Sequence, residues 1–330
     1  MKILLDNPGK TPRFILSEKE EEFSLKDDEV LIQTAYSGLN FADVMMTMDL
    51  YPEAPKAPFC PGYEISGHVI AVGKSVHDLS PGDSVMAGTR FGGYAARCLL
   101  PRWQVLKVPK HLNLKEAAGL MVSYLTADLC LYELCRLRTE DSIMIDCASG
   151  ALGAILIEIC KKRGVESIVG LTSSDEKISV IEKRGVTGMT LKDWEQSNKK
   201  VDIIINSRGG RTFKKNRERL NPLGRMVGVG AGHMTNKGKK SFIKIVSEFL
   251  SFGFIHPISL MNENQSVGGL NVLRLFDHQK KIEDSLLRLN DLELYPKIDR
   301  IFNKDNVSEA IEYLATGKSQ GKVLLKWDGP

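Results

Sequence analysis

The sequence predicts an α/β chain of two domains, one rich in β-strands and one a doubly wound parallel sheet. Three observations carry that prediction. Short β-type runs cut by Gly, Pro and Asp fill the N-terminal part. From Ser142 onward, strand and helix patterns alternate, as in βαβ units on a parallel sheet. At the head of that alternation stands SIMIDCASGALGAILIEICKKRG, with the outline of a strand, a glycine turn and a helix.

The elements follow in order. DEVLIQTAYSGLN, ISGHVIAVG, GDSVMAG and GGYAARCLLP read as strands of the β-rich part. After Pro109, NLKEAAGLMVSYLTADLCLYELC spaces its apolar residues as a helix does. Then come SIMIDC, ALGAILIEICKKRG, SIVGL, SDEKISVIEKRG, VDIIIN and GRMVGVG, alternately strand and helix. NKGKKSFIK reads as a basic loop leading into a helix, LNVLRLFDHQKKIEDSLLRLN as one helix, and GKVLLKW as a closing strand.

Composition bounds the function. At roughly 100–200 residues per domain, 330 residues are two domains. Apolar residues make up 42% of the chain, ample for a core. A formal charge of +4 is too small to argue for nucleic acid, though it would not repel a phosphate-bearing ligand. The cysteines, Cys60, Cys98, Cys130, Cys135, Cys147 and Cys160, form no C-x-x-C pair, and a chain this long needs no disulfide framework. Free thiols and a cytoplasmic location are expected. The opening MKILLDNPGK is too weakly apolar for a signal peptide. No run of about 18 apolar residues predicts a membrane span. The nearest, Phe242 to Met261, is broken by Lys244, Glu248 and His256.

The glycine turn is the first candidate site. Ala148-x-Gly150-x-x-Gly153 keeps the second and third glycines of a dinucleotide fingerprint. The second lets backbone approach a pyrophosphate, and the third lets helix pack close to strand. The first, the tight-turn glycine, is Ala148. A structural turn without a ligand fits the same residues. The next strand sharpens the reading. An NAD site has an Asp or Glu at its end, about 20 residues past the glycines. Here stand Gly170, Leu171 and Thr172, then Ser173, Ser174 and Lys177. Hydroxyls and an ammonium suit a 2′-phosphate, although Ser174 also reads as a plain helix cap.

Taken in order, SGLNFADVM, PGYEISGHVIAVG, PGDSVMAG, GGYAARCLLP, LMVSYLTAD, CASGALGAILIEIC, LTSSDEKISVIEKRGV, VDIIINSRGG, LNPLGRMVGVG and GKSQGKVLLKW resemble the medium-chain dehydrogenase/reductase superfamily. They are most similar to its zinc-independent quinone oxidoreductase branch and the vesicle amine transport protein-like subgroup. The resemblance implies a GroES-like catalytic domain, residues 1–121 and 263–330, with a Rossmann domain, 122–262, inserted. It implies NADPH in the cleft, a quinone or α,β-unsaturated carbonyl as substrate, and a homodimer formed by edge strands near SFGFIHPISLM.

Zinc members of the superfamily carry Cys where this chain has Asn40, and G-H-E where it has Gly62-Tyr63-Glu64. Neither Asn40 nor Tyr63 is a usable zinc ligand, so no metal is expected. By resemblance, Asn40 lies beside the nicotinamide with an amide that donates to cofactor or substrate. Tyr51 lies at the substrate and donates a hydrogen bond or a proton. Ala148, Ser149, Gly150, Ala151, Leu152 and Gly153 form the cofactor loop. Thr126, Thr172, Ser174, Lys177, Gly230, Gly321 and Lys322 are further cofactor contacts. As plain residues, Asn40 is a turn, Tyr51 a loop anchor before Pro52, and Thr126 a hydroxyl bonded to its own helix.

Several positions depart from the family. Ala151 replaces a loop glycine, Asn206 an Asp, and Ser123 an Asn; Arg208 adds a charge. These keep open a second class of function, a nucleotide-binding, membrane-associated or regulatory member with little or no turnover. The run RGGRTFKKNRER, with no interleaved aromatics, reads as a solvated helix face rather than an RNA site.

Overall fold

The computed structural model describes residues 1–9, 11–19, 22–230, 255–289 and 291–327. In chain order the strands are β1 (Lys2–Asn7), β2 (Arg13–Ser17), β3 (Glu29–Gly38), β4 (Glu64–Val72), β5 (Ser84–Gly88), β6 (Arg97–Pro101) and β7 (Val105–Lys107). Then follow β8 (Ile143–Ile145), β9 (Ile168–Thr172), β10 (Thr187–Thr190), β11 (Val201–Asn206), β12 (Leu220–Gly228), β13 (Ser266–Gly269), β14 (Ile298–Asn303) and β15 (Lys322–Lys326). The helices are α1 (Phe41–Thr47), α2 (Leu114–Ala117), α3 (Met121–Asp128), α4 (Ala151–Lys162) and α5 (Ile178–Glu182). They continue with α6 (Leu191–Gln196), α7 (Gly210–Arg217), α8 (Pro257–Glu263), α9 (Gln279–Leu289) and α10 (Val307–Ala315).

The chain divides into two compact units: Met1–Val122 with Phe276–Glu283 and Tyr295–Pro330, and Ser123–Leu275 with Asp284–Leu294. In the first, a seven-stranded sheet runs β14-β15-β3-β4-β5-β7, with β6 also on β3. β3 is its central strand, alternating buried and half-buried residues because one face meets the core. Val30, Ile32, Ile65, Val69, Val85 and Leu100 pack there. The second unit is a six-stranded sheet in the order β10-β9-β8-β11-β12-β13, with every pairing parallel. Its inner strand β8 is buried at all three residues, as a parallel strand covered on both faces must be.

Three expectations need correction. The helix predicted after Pro109 is broken. α2 is capped by Asn113, whose Oδ1 accepts from the Lys115 and Glu116 N–H groups. It ends at Ala117, and α3 starts only at Met121; between them Gly119 packs where a side chain would meet Ile298 Cδ1 at 3.0 Å and Lys322 Cγ at 3.1 Å. The helix predicted over LNVLRLFDHQKKIEDSLLRLN is a 3₁₀ turn, Val272–Asp277, followed by α9. Phe276 packs against Gly88 and Asp277 accepts from Arg90 at 2.7 Å, and the helix begins only at Gln279. The RGG run is not a solvated face throughout. Arg208 is buried, and Gly209 and Gly210 take positive φ angles of 72° and 54°. NKGKKSFIK and Ser251 to Phe254 of SFGFIHPISLM lie outside the described residues; Pro257–Glu263 is α8. Among the described residues, no helix is long and apolar enough to cross a membrane.

Candidate active site

The glycine turn leaves β8 through Asp146 and enters α4 at Gly150, its N-cap. The sharp bend falls on Cys147, whose φ is 53°, rather than on Ala148. Asp146 makes that conformation possible. Its carboxylate accepts from the N–H groups of Cys147 (2.9 Å), Ser207 (3.3 Å) and Arg208 (3.1 Å), and pairs with the Arg208 guanidinium at 2.6 Å. Ala148 is buried, and its N–H donates to the Leu171 carbonyl at 2.9 Å, tying the loop to β9. A side chain on Gly153 would come within 2.5 Å of Ala148 Cα, so glycine is required for the helix to lie this close. One on Gly150 would meet only the Cys147 carbonyl, at 3.3 Å. The first turn of α4 has no acidic residue and no side-chain cap, which leaves its N–H groups for a ligand. Ser149 is buried, while Ala151 and Leu152 are half-buried in that first turn.

Thr172 ends β9, buried. Ser174 caps the 3₁₀ turn Asp175–Lys177 without a side-chain bond, and α5 follows directly. Asp175 and Glu176 are exposed, while Lys177 is half-buried. The Lys177 charge is felt at the loop. Desolvation and Asp146 push the Cys147 thiol up to about 12, against the opposing pull of Arg208 and Lys177. Gly230, just past β12, has its pro-side-chain direction filled by the Ser207 carbonyl at 2.6 Å. Thr126 lies half-buried on α3.

In the other unit, three polar side chains close on one another. Lys322 Nζ donates to Asn40 Oδ1 at 2.8 Å and pairs with Glu64 Oε1. Asn40 Nδ2 donates to the same Glu64 oxygen at 2.9 Å. The second Glu64 oxygen accepts from the Val122 N–H at 2.9 Å. Lys322 is 2% exposed and Glu64 0%. Such a pair persists in the interior only with its remaining hydrogen bonds made, as here. Gly38 permits it, since a side chain there would sit 2.7 Å from Glu64 Cγ. Gly321, at φ 146°, turns the chain into β15 against the Lys297 carbonyl. Asp43 completes the capping box of α1 by accepting from the Asn40 N–H at 2.8 Å. Burial lifts its carboxyl to about 7. Asn40 and Lys322 therefore meet, and Tyr51 lines a pocket with Met46, Leu50, Pro52 and Phe59.

Two family models match this chain: the alcohol dehydrogenase GroES-like domain over residues 26–110, and zinc-binding dehydrogenase over 179–325. The synaptic vesicle membrane protein VAT-1 homolog of Danio rerio is 28% identical over 335 positions, covering 98% of this chain and 69% of that protein. A quinone oxidoreductase-like protein 2 homolog of Nematostella vectensis is 27% identical, covering 94% and 85%. The quinone oxidoreductase of Thermus thermophilus, solved also with NADPH, superposes with a TM-score of 0.81 at 24% identity over 99% and 100% of the chains. The chain belongs to the medium-chain dehydrogenase/reductase superfamily. It falls in the quinone oxidoreductase and VAT-1-like branch.

Within the superfamily, the first unit is the GroES-like domain and the second the Rossmann domain. Zinc, which the second family model names, does not fit the residues present. Among the described residues no group of three His, Cys, Asp or Glu is placed to hold a metal. An ammonium already lies between Asn40 and Glu64, and a divalent cation there would meet its charge. Sequence reasoning missed Glu64, Asp43 and Asp146. The N-x-x-D spacing of Asn40 and Asp43 was the one readable signal, as a capping box. Nothing local marks Glu64 as the partner of a lysine near the other end of the chain.

Proposed function

We propose that this chain is a zinc-independent oxidoreductase that reduces a quinone or an α,β-unsaturated carbonyl at the expense of NADPH. The Lys322–Asn40–Glu64 triangle supports this reading most directly. It fills the metal ligand positions with a neutral, hydrogen-bonded cluster, so the substrate must bring its own electrophilicity, as quinones and enones do. The glycine turn, Thr172, Ser174 and Lys177 would hold the dinucleotide, with Thr126, Gly230 and Gly321 as further contacts. The bound nucleotide supplies the hydride. Asn40, held at both ends of its amide, fixes the polar wall beside the reacting carbon. Tyr51 donates a hydrogen bond to the substrate oxygen as charge gathers there and passes on its proton, which water replaces.

The test is NADPH consumption by metal-chelated protein against a panel of quinones and enones, beside a binding titration. Consumption that survives chelation is expected. Tight nucleotide binding with no consumption across the panel would favour the second reading, a nucleotide-binding member with little turnover. The membrane-protein names of the VAT-1 relatives give that reading its support. A homodimer is also proposed, through edge-strand pairing of the parallel sheet near SFGFIHPISLM; β13 is one of the two outermost described strands of that sheet. Light scattering at micromolar concentration tests it, and a monomer would remove it.

A further inference from the structure

We propose that Arg208 is a positioning residue for the dinucleotide: it cancels the Asp146 carboxylate buried under the glycine turn and, through it, ties that turn to the loop after β11. The inference rests on the proposed seat of the nucleotide at the glycine turn. It adds a charge pair formed by an acid just past β8 and the arginine that departs from the family just past β11.

The topology of the Rossmann domain sets the place. From β8 the parallel sheet grows through β9 to β10 on one side, and through β11 to β12 and β13 on the other, so its order reverses between β8 and β11. Ligands of such sheets lie in the crevice at that reversal, beyond the carboxyl ends of the strands. Asp146 stands directly past β8 and Ser207 directly past β11. One carboxylate joins the two loops there. Asp146 Oδ1 accepts from the Cys147 N–H at 2.9 Å, and Oδ2 from the Ser207 and Arg208 N–H groups at 3.3 and 3.1 Å. Arg208 Nη1 lies 2.6 Å from Oδ1, a charge contact rather than an aligned hydrogen bond. Main chain and side chain of one residue thus close on the same carboxylate. Asp146 is 1% exposed and Arg208 9%.

Electrostatics gives the pair its consequence. A carboxylate out of water is costly unless its charge is met. The three N–H groups orient it but carry no net charge, and Arg208 supplies the matching one. With Arg208 in place, the turn offers a pyrophosphate a neutral base beside the N–H groups of α4, whose first turn has no acidic residue. Without it, a negative charge would lie under an anionic ligand and oppose it. The hold on the turn has a second effect. Cys147, at φ 53°, is a non-glycine residue in the left-handed region, and such a conformation persists only where its surroundings enforce it. The bond from its N–H to Asp146 does so, and Arg208 keeps that carboxylate in place. NADPH and NADH share the pyrophosphate, so Arg208 acts on both, unlike Lys177, whose proposed contact is the 2′-phosphate.

The test is a double-mutant cycle of Arg208→Met and Asp146→Asn, read by calorimetric titration with NADPH and NADH and by melting of the nucleotide-free protein. Methionine keeps much of the arginine stem and removes the charge. In the wild-type background we expect Arg208→Met to weaken NADPH and NADH alike, roughly 10- to 100-fold, and to lower Tm. In the Asp146→Asn background, with no carboxylate to cancel, it should change either affinity less than about twofold. Arg208→Lys, which keeps the charge, should hold most of the wild-type affinity. Should Arg208→Met alone fail to fold, the two Asp146→Asn proteins still decide, because a large loss between them means that Arg208 does not act through Asp146. A lowered Tm with unchanged affinities, or equal losses of affinity in both backgrounds, overturns the proposal. A wild type that binds neither nucleotide strikes the proposed function and this role with it. A wild type that binds both, with no coupling in the cycle, strikes the role alone.

Discussion

Replacing Lys322 with Met is the sharpest perturbation of the GroES-like domain. Methionine keeps most of the stem volume and removes the ammonium. Glu64, with no exposed surface, then keeps only two donors, Asn40 Nδ2 and the Val122 N–H, both at 2.9 Å. Asn40 Oδ1 loses the donor that lay 2.8 Å away. Removing one partner of a buried ion pair costs about 3–5 kcal/mol. For a unit of roughly 150–250 residues, 1 kcal/mol shifts Tm by about 2–4 °C, so a fall of roughly 6–20 °C is expected. Differential scanning calorimetry measures it. Adding Glu64→Gln to Lys322→Met should recover much of the loss, because the stranded charge is gone and the amide still accepts from Val122. A Lys322→Met protein that melts within about 2 °C of wild type would show that the ammonium does not compensate Glu64, and the reasoning would fail.

Three other outcomes are expected. Gly153→Ala puts a methyl 2.5 Å from Ala148 Cα and 2.7 Å from the Cys147 carbonyl, both backbone atoms. It should cost about 1–3 kcal/mol in urea unfolding and weaken nucleotide binding, and wild-type values for both would show that α4 can retreat. Lys177→Ala should weaken NADPH by roughly 10- to 150-fold and leave NADH unchanged, by calorimetric titration; equal losses of both nucleotides would reduce Lys177 to a fold residue. Asp43 carries the pH prediction. Its folded pKa is raised from 3.8 to about 7, chiefly by burial, so the folded state holds the proton more tightly than the unfolded chain. Stability from this group is therefore present below about pH 4 and lost as pH rises to 7, by at most about 1.4 kcal/mol per unit. Asp43→Asn should flatten that slope between about pH 4 and pH 7, and an unchanged slope would count against a buried, titrating Asp43.

The parallel sheet was legible because its strands are short continuous apolar runs set between Gly and Asp, as SIMIDC and VDIIIN show. The glycine turn was legible because its chemistry is local. The breaks at Gly119 and His278 were not, and both lie beside contacts with distant residues: Ile298 and Lys322 for one, Gly88 and Arg90 for the other. Helical periodicity carries no record of what presses on a helix. Arg208 failed for the same reason. Its charge suggested solvent, but Asp146, far back in the chain, takes it inside. Asn40 was found by position, and its neighbours correct the picture of a free amide. One hydrogen is donated to Glu64 and its oxygen accepts from Lys322, leaving the second hydrogen a long 3.4 Å contact with the Gly38 carbonyl.

Ala148 and Gly170 touch across the first two strands of the parallel sheet. A methyl on Gly170 would lie 2.8 Å from the Ala148 methyl and 2.6 Å from Ile181 Cγ2. The two positions therefore cannot drift separately. Alanine at 148 is tolerated because 170 is bare, and a side chain at 170 has to wait until 148 becomes glycine and Ile181 turns aside. Substitution here has an order: a lineage that acquires the tight-turn glycine first gains freedom on β9, and one that fills β9 first is blocked at the glycine turn. Among relatives, residues at 148 and 170 should trade size, a correlation that an alignment of this branch would display without any experiment on the protein itself.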